Sequence, residues 1–227
     1  MDRNIQNATN LYLFLGGLFV AFLVVCNLIA NKFVSIQTPF REDPFIISAG
    51  VIPYPITFLI TDLLSEFYGA KKTARIIFTG FIASILIVFV LFLGGVFPAI
   101  EGSPVSNETY NIVFGNSWRV ISASMLAYLL AQYVDVYLYE FWKKLTKGRM
   151  LWLRNNGSTI FSQLLDTFLV VFVLFFGVKS MGEISSIIFD GWLFKVICAL
   201  IDTPIIYVSV FLIRKYFKLA PGEEVQF

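Results

Sequence analysis

Six apolar runs, each near the length that crosses a bilayer, leave this chain little choice of solvent. They fall at residues 11 to 34, 46 to 68, 74 to 97, 119 to 142, 157 to 178 and 191 to 213. About 20 helical residues rising 1.5 Å each cover roughly 30 Å of hydrocarbon. The expectation is an all-α polytopic membrane protein with six transmembrane helices, forming a single integral membrane domain over residues 1–227. Composition agrees: charged residues make up 14% of the chain and hydrophobic ones 58%, against roughly a quarter charged in soluble globular domains. The first run is too long for a cleavable signal and ends in Asn31-Lys32-Phe33-Val34 with no small-x-small site, so it reads as a retained span. In the second run Pro53 and Pro55 stand ahead of Thr57, Thr61, Asp62, Ser65 and Glu66, which predicts a helix broken or kinked by its prolines.

Orientation follows from lysine and arginine in the connecting loops. With the amino terminus cytoplasmic, the inside loops receive Arg3; Lys71, Lys72 and Arg75; Lys143, Lys144, Lys147, Arg149 and Arg154; and Arg214, Lys215 and Lys218. The outside loops receive only Arg41, Arg119 and Lys179. That asymmetry predicts both termini in the cytoplasm. The longest loop, 98 to 118, falls outside on this scheme, and its Asn107-Glu108-Thr109 triplet is a formal sequon with no function assigned to it.

Several function classes lack their parts. Net charge is only +2, too little to suggest that the chain binds nucleic acid directly. With no histidine, Ser-His chemistry and HExxH zinc sites are excluded. No GxxxxGK[ST] loop or GxGD motif is present, and Cys26 and Cys198 stand alone in apolar runs. No enzyme, metal or cofactor is expected. Transport is what remains.

Lys32, Asp62, Glu66, Asp135, Asp166, Lys195 and Asp202 all fall inside the apolar runs. A central ionisable side chain costs roughly 2.5 to 3.5 kcal/mol to insert, so these groups must face a cavity or one another. For Lys32 and Lys195, snorkelling to the headgroups competes with an interior role. For Glu66, an interfacial ion pair with Lys71 or Lys72 competes. Asp166 and Asp202 are the deepest, which points them to a pathway or an interior network. Asn27 and Asn31 lie four apart on the first run, Thr57 and Thr61 four apart on the second, while Gln132–Asp135 and Gln163–Asp166 repeat one Gln-x-x-Asp spacing on a helical face. Each taken singly could be helix–helix hydrogen bonding; together they suggest a lined site. Phe58, Tyr128, Tyr139 and Phe168 fall near the carboxylates and could stack on a planar ligand. The stretch Arg154-Asn155-Asn156-Gly157-Ser158-Thr159 reads as the start of the fifth helix, with Ser158 or Asn156 as its N-cap.

Three stretches carry a family resemblance: Asn27 to Lys32, Pro55 to Gly69, and Leu151 to Thr159 with Ser162, Gln163, Asp166 and Thr167. Together they resemble the YhhQ-type queuosine-precursor transporters of the vitamin-uptake-transporter class. The resemblance implies a multi-pass protein of the bacterial cytoplasmic (inner) membrane. It would take up queuine, 7-cyano-7-deazaguanine or 7-aminomethyl-7-deazaguanine, which a separate enzyme then inserts into transfer RNA. The resulting candidate substrate set is Asn27, Asn31, Lys32, Phe58, Thr61, Asp62, Glu66, Gln132, Asp135, Gln163, Asp166 and Asp202. Carboxylates such as Asp62, Glu66 or Asp166 would accept the donor edge of the deazaguanine, amides would meet its carbonyl, and aromatic walls would hold the ring. The expected partners are the deazaguanine base and membrane lipid, with homo-oligomerisation left open. A stand-alone secondary or facilitative transporter is the leading reading. The alternatives are a substrate-binding subunit that needs an ATPase, as in energy-coupling-factor importers, and a membrane scaffold that transports nothing.

Overall fold

The computed structural model describes residues 3–30, 32–39, 42, 44–115, 118–177 and 179–225. Helices dominate, in the order α1 (Arg3–Leu28), α2 (Tyr54–Val96), α3 (Asn107–Phe114), α4 (Trp118–Leu145), α5 (Leu151–Phe175) and α6 (Met181–Phe217). Among the described residues, four stretches are long and apolar enough to cross a bilayer: Asn4–Leu28, Ala49–Val96, Leu151–Val173 and Met181–Phe217. Their outward faces carry side chains such as Phe78, Leu86, Phe89, Phe92, Leu212 and Phe211, all more than half exposed. A belt of that kind belongs against lipid rather than water.

The first apolar run does not stay helical to residue 34. Helix α1 stops at Leu28, and a hairpin of β1 (Phe33–Ile36) and β2 (Phe45–Ser48) follows, in the antiparallel register Phe33↔Ser48 to Ile36↔Phe45. Pro39 and Pro44 between the strands bar a helix, and Val34, Ile36, Ile46 and Ile47 favour an extended chain. Phe45 and Ile47 turn inward onto Phe194 of α6, while Ile46 faces out. A short 3₁₀ turn, Ala49–Val51, leads on to α2. Gly50 comes so near the Cys26 carbonyl that an added Cβ would sit 2.3 Å from its oxygen, so only glycine allows the turn to close on α1.

The prolines of the second run open the helix instead of breaking it. Pro53 is the N-cap of α2 and Pro55 lies in its first turn, where a missing N–H costs nothing because those donors have no helical partner. The break comes at Gly69, with φ 76° and ψ 163°, a region open essentially to glycine alone. It divides α2 into an amino arm (54–68) and a carboxyl arm (70–96). The break strips the last carbonyls of the amino arm of their helical donors, and two distant elements supply replacements. Lys143 of α4 donates through Nζ to the carbonyls of Ser65 (3.3 Å) and Glu66 (2.8 Å), and the backbone N–H of Val225 donates to that of Phe67 (2.8 Å). The segment after α6 is thereby laced to the centre of the molecule: Val225 is buried, Glu224 pairs with Lys143, and Gly222 packs on Gly148 in the α4–α5 turn.

Helix α5 begins six residues earlier than residue 157, with Met150 in a left-handed conformation as its N-cap and no side-chain cap. Arg154, Asn155, Asn156 and Ser158 are thus interior helical residues, and neither Asn156 nor Ser158 caps anything. The tight turn holding Lys147, Gly148 and Met150 at positive φ makes the early start possible. Helix α6 starts on a capping box formed by Ser180 and Glu183 and continues through Pro204.

Candidate functional site

The amino arm of α2 is the central post of the molecule. From Thr57 through Gly69 every residue but Leu59 is buried, although the stretch contains Thr57, Thr61, Asp62, Ser65 and Glu66. A helix buried all round while carrying polar groups needs polar partners on its neighbours, and α4, α5 and α6 supply them. On α4, Tyr128, Gln132, Asp135 and Tyr139 follow one another at spacings of three and four. On α5, Asn155, Thr159, Gln163 and Asp166 do the same, and on α6 so do Lys195, Ala199 and Asp202. Between the faces of α2, α5 and α6 lies a narrow cleft. Tyr54, Pro55, Phe58 and Leu59 form its aromatic and apolar wall, and Asn155, Thr159, Gln163, Lys195 and Asp202 form the polar one. The Gln163 Oε1 accepts no hydrogen bond from a described protein group, which leaves an acceptor on offer. A second hollow, between the C-terminal half of α5 and the N-terminal half of α6, is lined by Phe168, Phe172, Ile184, Phe189 and Trp192; lacking converging polar groups, it is suited to lipid chains rather than to a specific solute.

At one end of the cleft Lys195 donates to Asp166 Oδ2 at 2.6 Å and to Thr167 Oγ1 at 3.1 Å, and its ammonium lies 4.7 Å from the centre of the Tyr54 ring. Lys195 is 8% exposed, so it turns inward and does not snorkel. At the far end Glu66 is fully buried. Its Oε1 accepts from Arg154 Nη2 at 3.0 Å and from Arg214, and its Oε2 accepts from the Tyr139 hydroxyl at 3.0 Å. Of the two readings open for Glu66, an interfacial pair with Lys71 or Lys72 and a pathway role, neither describes this buried arginine clamp. Helical spacing decides the point: Glu66 shares a face with Asp62, toward α4 and α5, and Lys71 is exposed beyond the Gly69 break.

Two smaller networks lie between the ends. The Thr61 hydroxyl donates to Gln132 Oε1 at 3.1 Å, and Gln132 Nε2 donates to the Tyr128 hydroxyl at 3.0 Å. The Asp62 and Asp135 carboxyl groups face one another within hydrogen-bonding reach, and Ser162 donates to Asp135 Oδ1 at 2.9 Å. Phe58, Gln163 and Asp202 therefore reach the cleft, while Thr61, Asp62, Glu66, Gln132, Asp135 and Asp166 form the buried scaffold around it. The repeated Gln-x-x-Asp spacing does not make two equivalent sites, because Asp135 answers to Ser162 of α5 and Asp166 to Lys195 of α6. Asn27 binds Ser84 on the carboxyl arm of α2 at 3.4 Å, a helix-to-helix contact away from the cleft. Lys32 is exposed beyond the end of α1, and Asn31 lies outside the described residues. Phe168 faces outward, while Tyr128 and Tyr139 are sealed in hydrogen bonds.

Tyr54, Asn155, Thr159, Lys195 and Arg214 belong to the site but stand outside the candidate substrate set. Tyr54 lies four residues before Phe58 and eight before Asp62, a spacing that could have placed it on the same face. Arg214 reads as a cytoplasmic loop charge beside Lys215. It lies on the same helical face as Val210 and Ile206, both buried, and that periodicity was its one visible clue.

The comparisons agree with one another. Residues 48–209 match the family model described as "Putative vitamin uptake transporter". Over 92% of its length the chain is 33% identical to a "Probable queuosine precursor transporter" of Bacillus subtilis, covering 86% of that protein. Over 76% of its length it is 29% identical to the "Queuosine precursor transporter" of Escherichia coli, covering 73% of that one. No solved structure matches.

Proposed function

Because the chain belongs to the vitamin uptake transporter family, we propose that it takes up queuosine precursors across the bacterial inner membrane. The substrates are 7-deazaguanine bases: queuine, 7-cyano-7-deazaguanine and 7-aminomethyl-7-deazaguanine. The chain is a transporter and not an enzyme, a multi-pass membrane protein acting as one domain over residues 1–227. The supporting observation is the cleft between the amino arm of α2 and helices α5 and α6, with an aromatic wall facing a carboxylate and two amides. Tyr54 and Phe58 suit a flat bicyclic ring. Asp202 replaces the carboxylates first considered, since Asp166 is held by Lys195 and Glu66 by two arginines. It accepts the ring N–H and exocyclic amine, Asn155 donates to the carbonyl, and Gln163 Oε1 takes a remaining donor.

Counting the two arms of α2 separately, α1, the arms, α4, α5 and α6 make six crossings, with the basic loops and both termini cytoplasmic. Transport proceeds without an ATPase subunit. Labelled 7-cyano-7-deazaguanine offered to cells that neither make nor import it tests the reading: the expressed chain is expected to raise uptake above the empty-vector level. Asp202→Ala is expected to lower uptake by roughly 10- to 100-fold, the worth of a charge-assisted hydrogen bond. A membrane-inserted chain giving no uptake of any of the three bases sinks the proposal. Proteoliposomes holding the purified chain alone separate stand-alone transport from ATPase dependence.

A further inference from the structure

Among the described residues, every buried charge but two has a partner of opposite sign. Glu66 takes Arg154 and Arg214, Asp166 takes Lys195, and Lys143 takes Glu224 together with two carbonyls. Asp62, 1% exposed, and Asp135, fully buried, have no cation of their own among the described residues and face each other instead. Both oxygens of Asp62 and Oδ2 of Asp135 accept no hydrogen bond from a described protein group. Two carboxylates cannot bond to each other, because neither has a hydrogen to give; a single shared proton supplies the missing donor.

The surrounding charges fix how many protons balance the cluster. Facing the pair are Glu66 from α2, Arg154 with Ser158, Thr159 and Ser162 from α5, Tyr139 from α4 through Glu66, and Arg214 from α6 through Glu66. With Glu66 ionised and both guanidinium groups charged, one proton on the aspartate pair makes the cluster neutral. No proton leaves it negative, and two leave it positive. Arg154 still has Nε and Nη1 without acceptors, so the singly ionised pair has a cation to answer to. A neutral cluster is the form that low-dielectric surroundings tolerate.

Resting on the transport reading above, we propose that Asp62 and Asp135 form a proton-binding site that couples proton movement to uptake of the base. The link to the substrate is Thr159, whose hydroxyl reaches Asp135 and which also lines the cleft. A base that engages Thr159 changes the hydrogen bonding of the pair, and protonation of the pair changes what Thr159 offers the base. One proton enters the pair from the outer aqueous phase and leaves to the inner one as the base crosses.

The test uses the full-length protein in proteoliposomes enclosing a pH-sensitive dye. Addition of 7-cyano-7-deazaguanine outside is expected to acidify the lumen, an inward proton gradient is expected to raise accumulation several-fold, and Asp62→Asn or Asp135→Asn is expected to abolish both effects. Uptake with no acidification and no response to the gradient overturns the coupling and leaves the transport reading standing, as does uptake driven by sodium instead. Infrared spectroscopy of the wild-type protein reads the site without transport or a folded variant: a protonated-carboxyl stretch at neutral pH is expected, and its absence overturns the shared proton. If that band is present and no base is taken up, the transport reading has failed and the proton site has not.

Discussion

Removing the ammonium of Lys195 by Lys195→Met leaves Asp166, about as buried as its partner, with its charge and no counter-ion. At the observed 2.6 Å, two unit charges in a medium of effective dielectric about 20 attract by about 6 kcal/mol before desolvation is counted. The net cost of breaking such a pair by deleting one member is about 3–5 kcal/mol, because the remaining charge stays buried. The lost contact with the Tyr54 ring at 4.7 Å adds up to about 1 kcal/mol. Unfolding of the purified protein by a denaturing detergent, followed by helical circular dichroism, is the assay. Lys195→Met and Asp166→Leu are each expected to lower stability by about 3–5 kcal/mol, whereas the double variant recovers most of the loss, since a well-packed apolar pair often does as well as an ion pair. Single variants that each cost under about 1 kcal/mol, or a double variant that loses the sum of both, would refute the argument that the pair is buried and mutually dependent.

Two further outcomes follow from the break in α2. Gly69→Ala should lower stability by about 1–3 kcal/mol through backbone strain alone, and its Cβ would also sit 2.8 Å from the Glu224 carboxylate; a thermal unfolding midpoint equal to that of the parent protein would contradict this. Val225→Asp exposes or strands a side chain now buried against the core and should cost about 2–3 kcal/mol. Limited proteolysis from the cytoplasmic side should then cut within 219–225, and a segment still resistant would show that it is not held by Val225.

How much of the site could be read in advance varies from helix to helix. Periodicity alone put Gln132 and Asp135 on one face of α4 and Gln163 and Asp166 on one face of α5, and all four are buried in the structure. It could not say what each face meets. By spacing alone Asp166 is open to a pathway or an interior network and Glu66 to an interfacial pair or a pathway; Lys195 from α6 decides the first, and Arg154 with Arg214 the second. The spacing of Pro53 and Pro55 spoke for a break because a proline deprives a helix of a donor; at the first turn that donor has no role, and the actual break fell at a glycine whose backbone conformation leaves no mark on composition.

The membrane class, the helical content, the absence of enzyme motifs and the set of groups too costly to leave in lipid were determined by the sequence, because all of these depend on residue type and on periods of a few residues. The division of those groups into a cleft, two clamped ion pairs and one uncompensated pair of aspartates was decided by the tertiary structure alone. Ion pairing and desolvation act over a few ångströms between residues up to 148 positions apart, a proximity that no local pattern encodes.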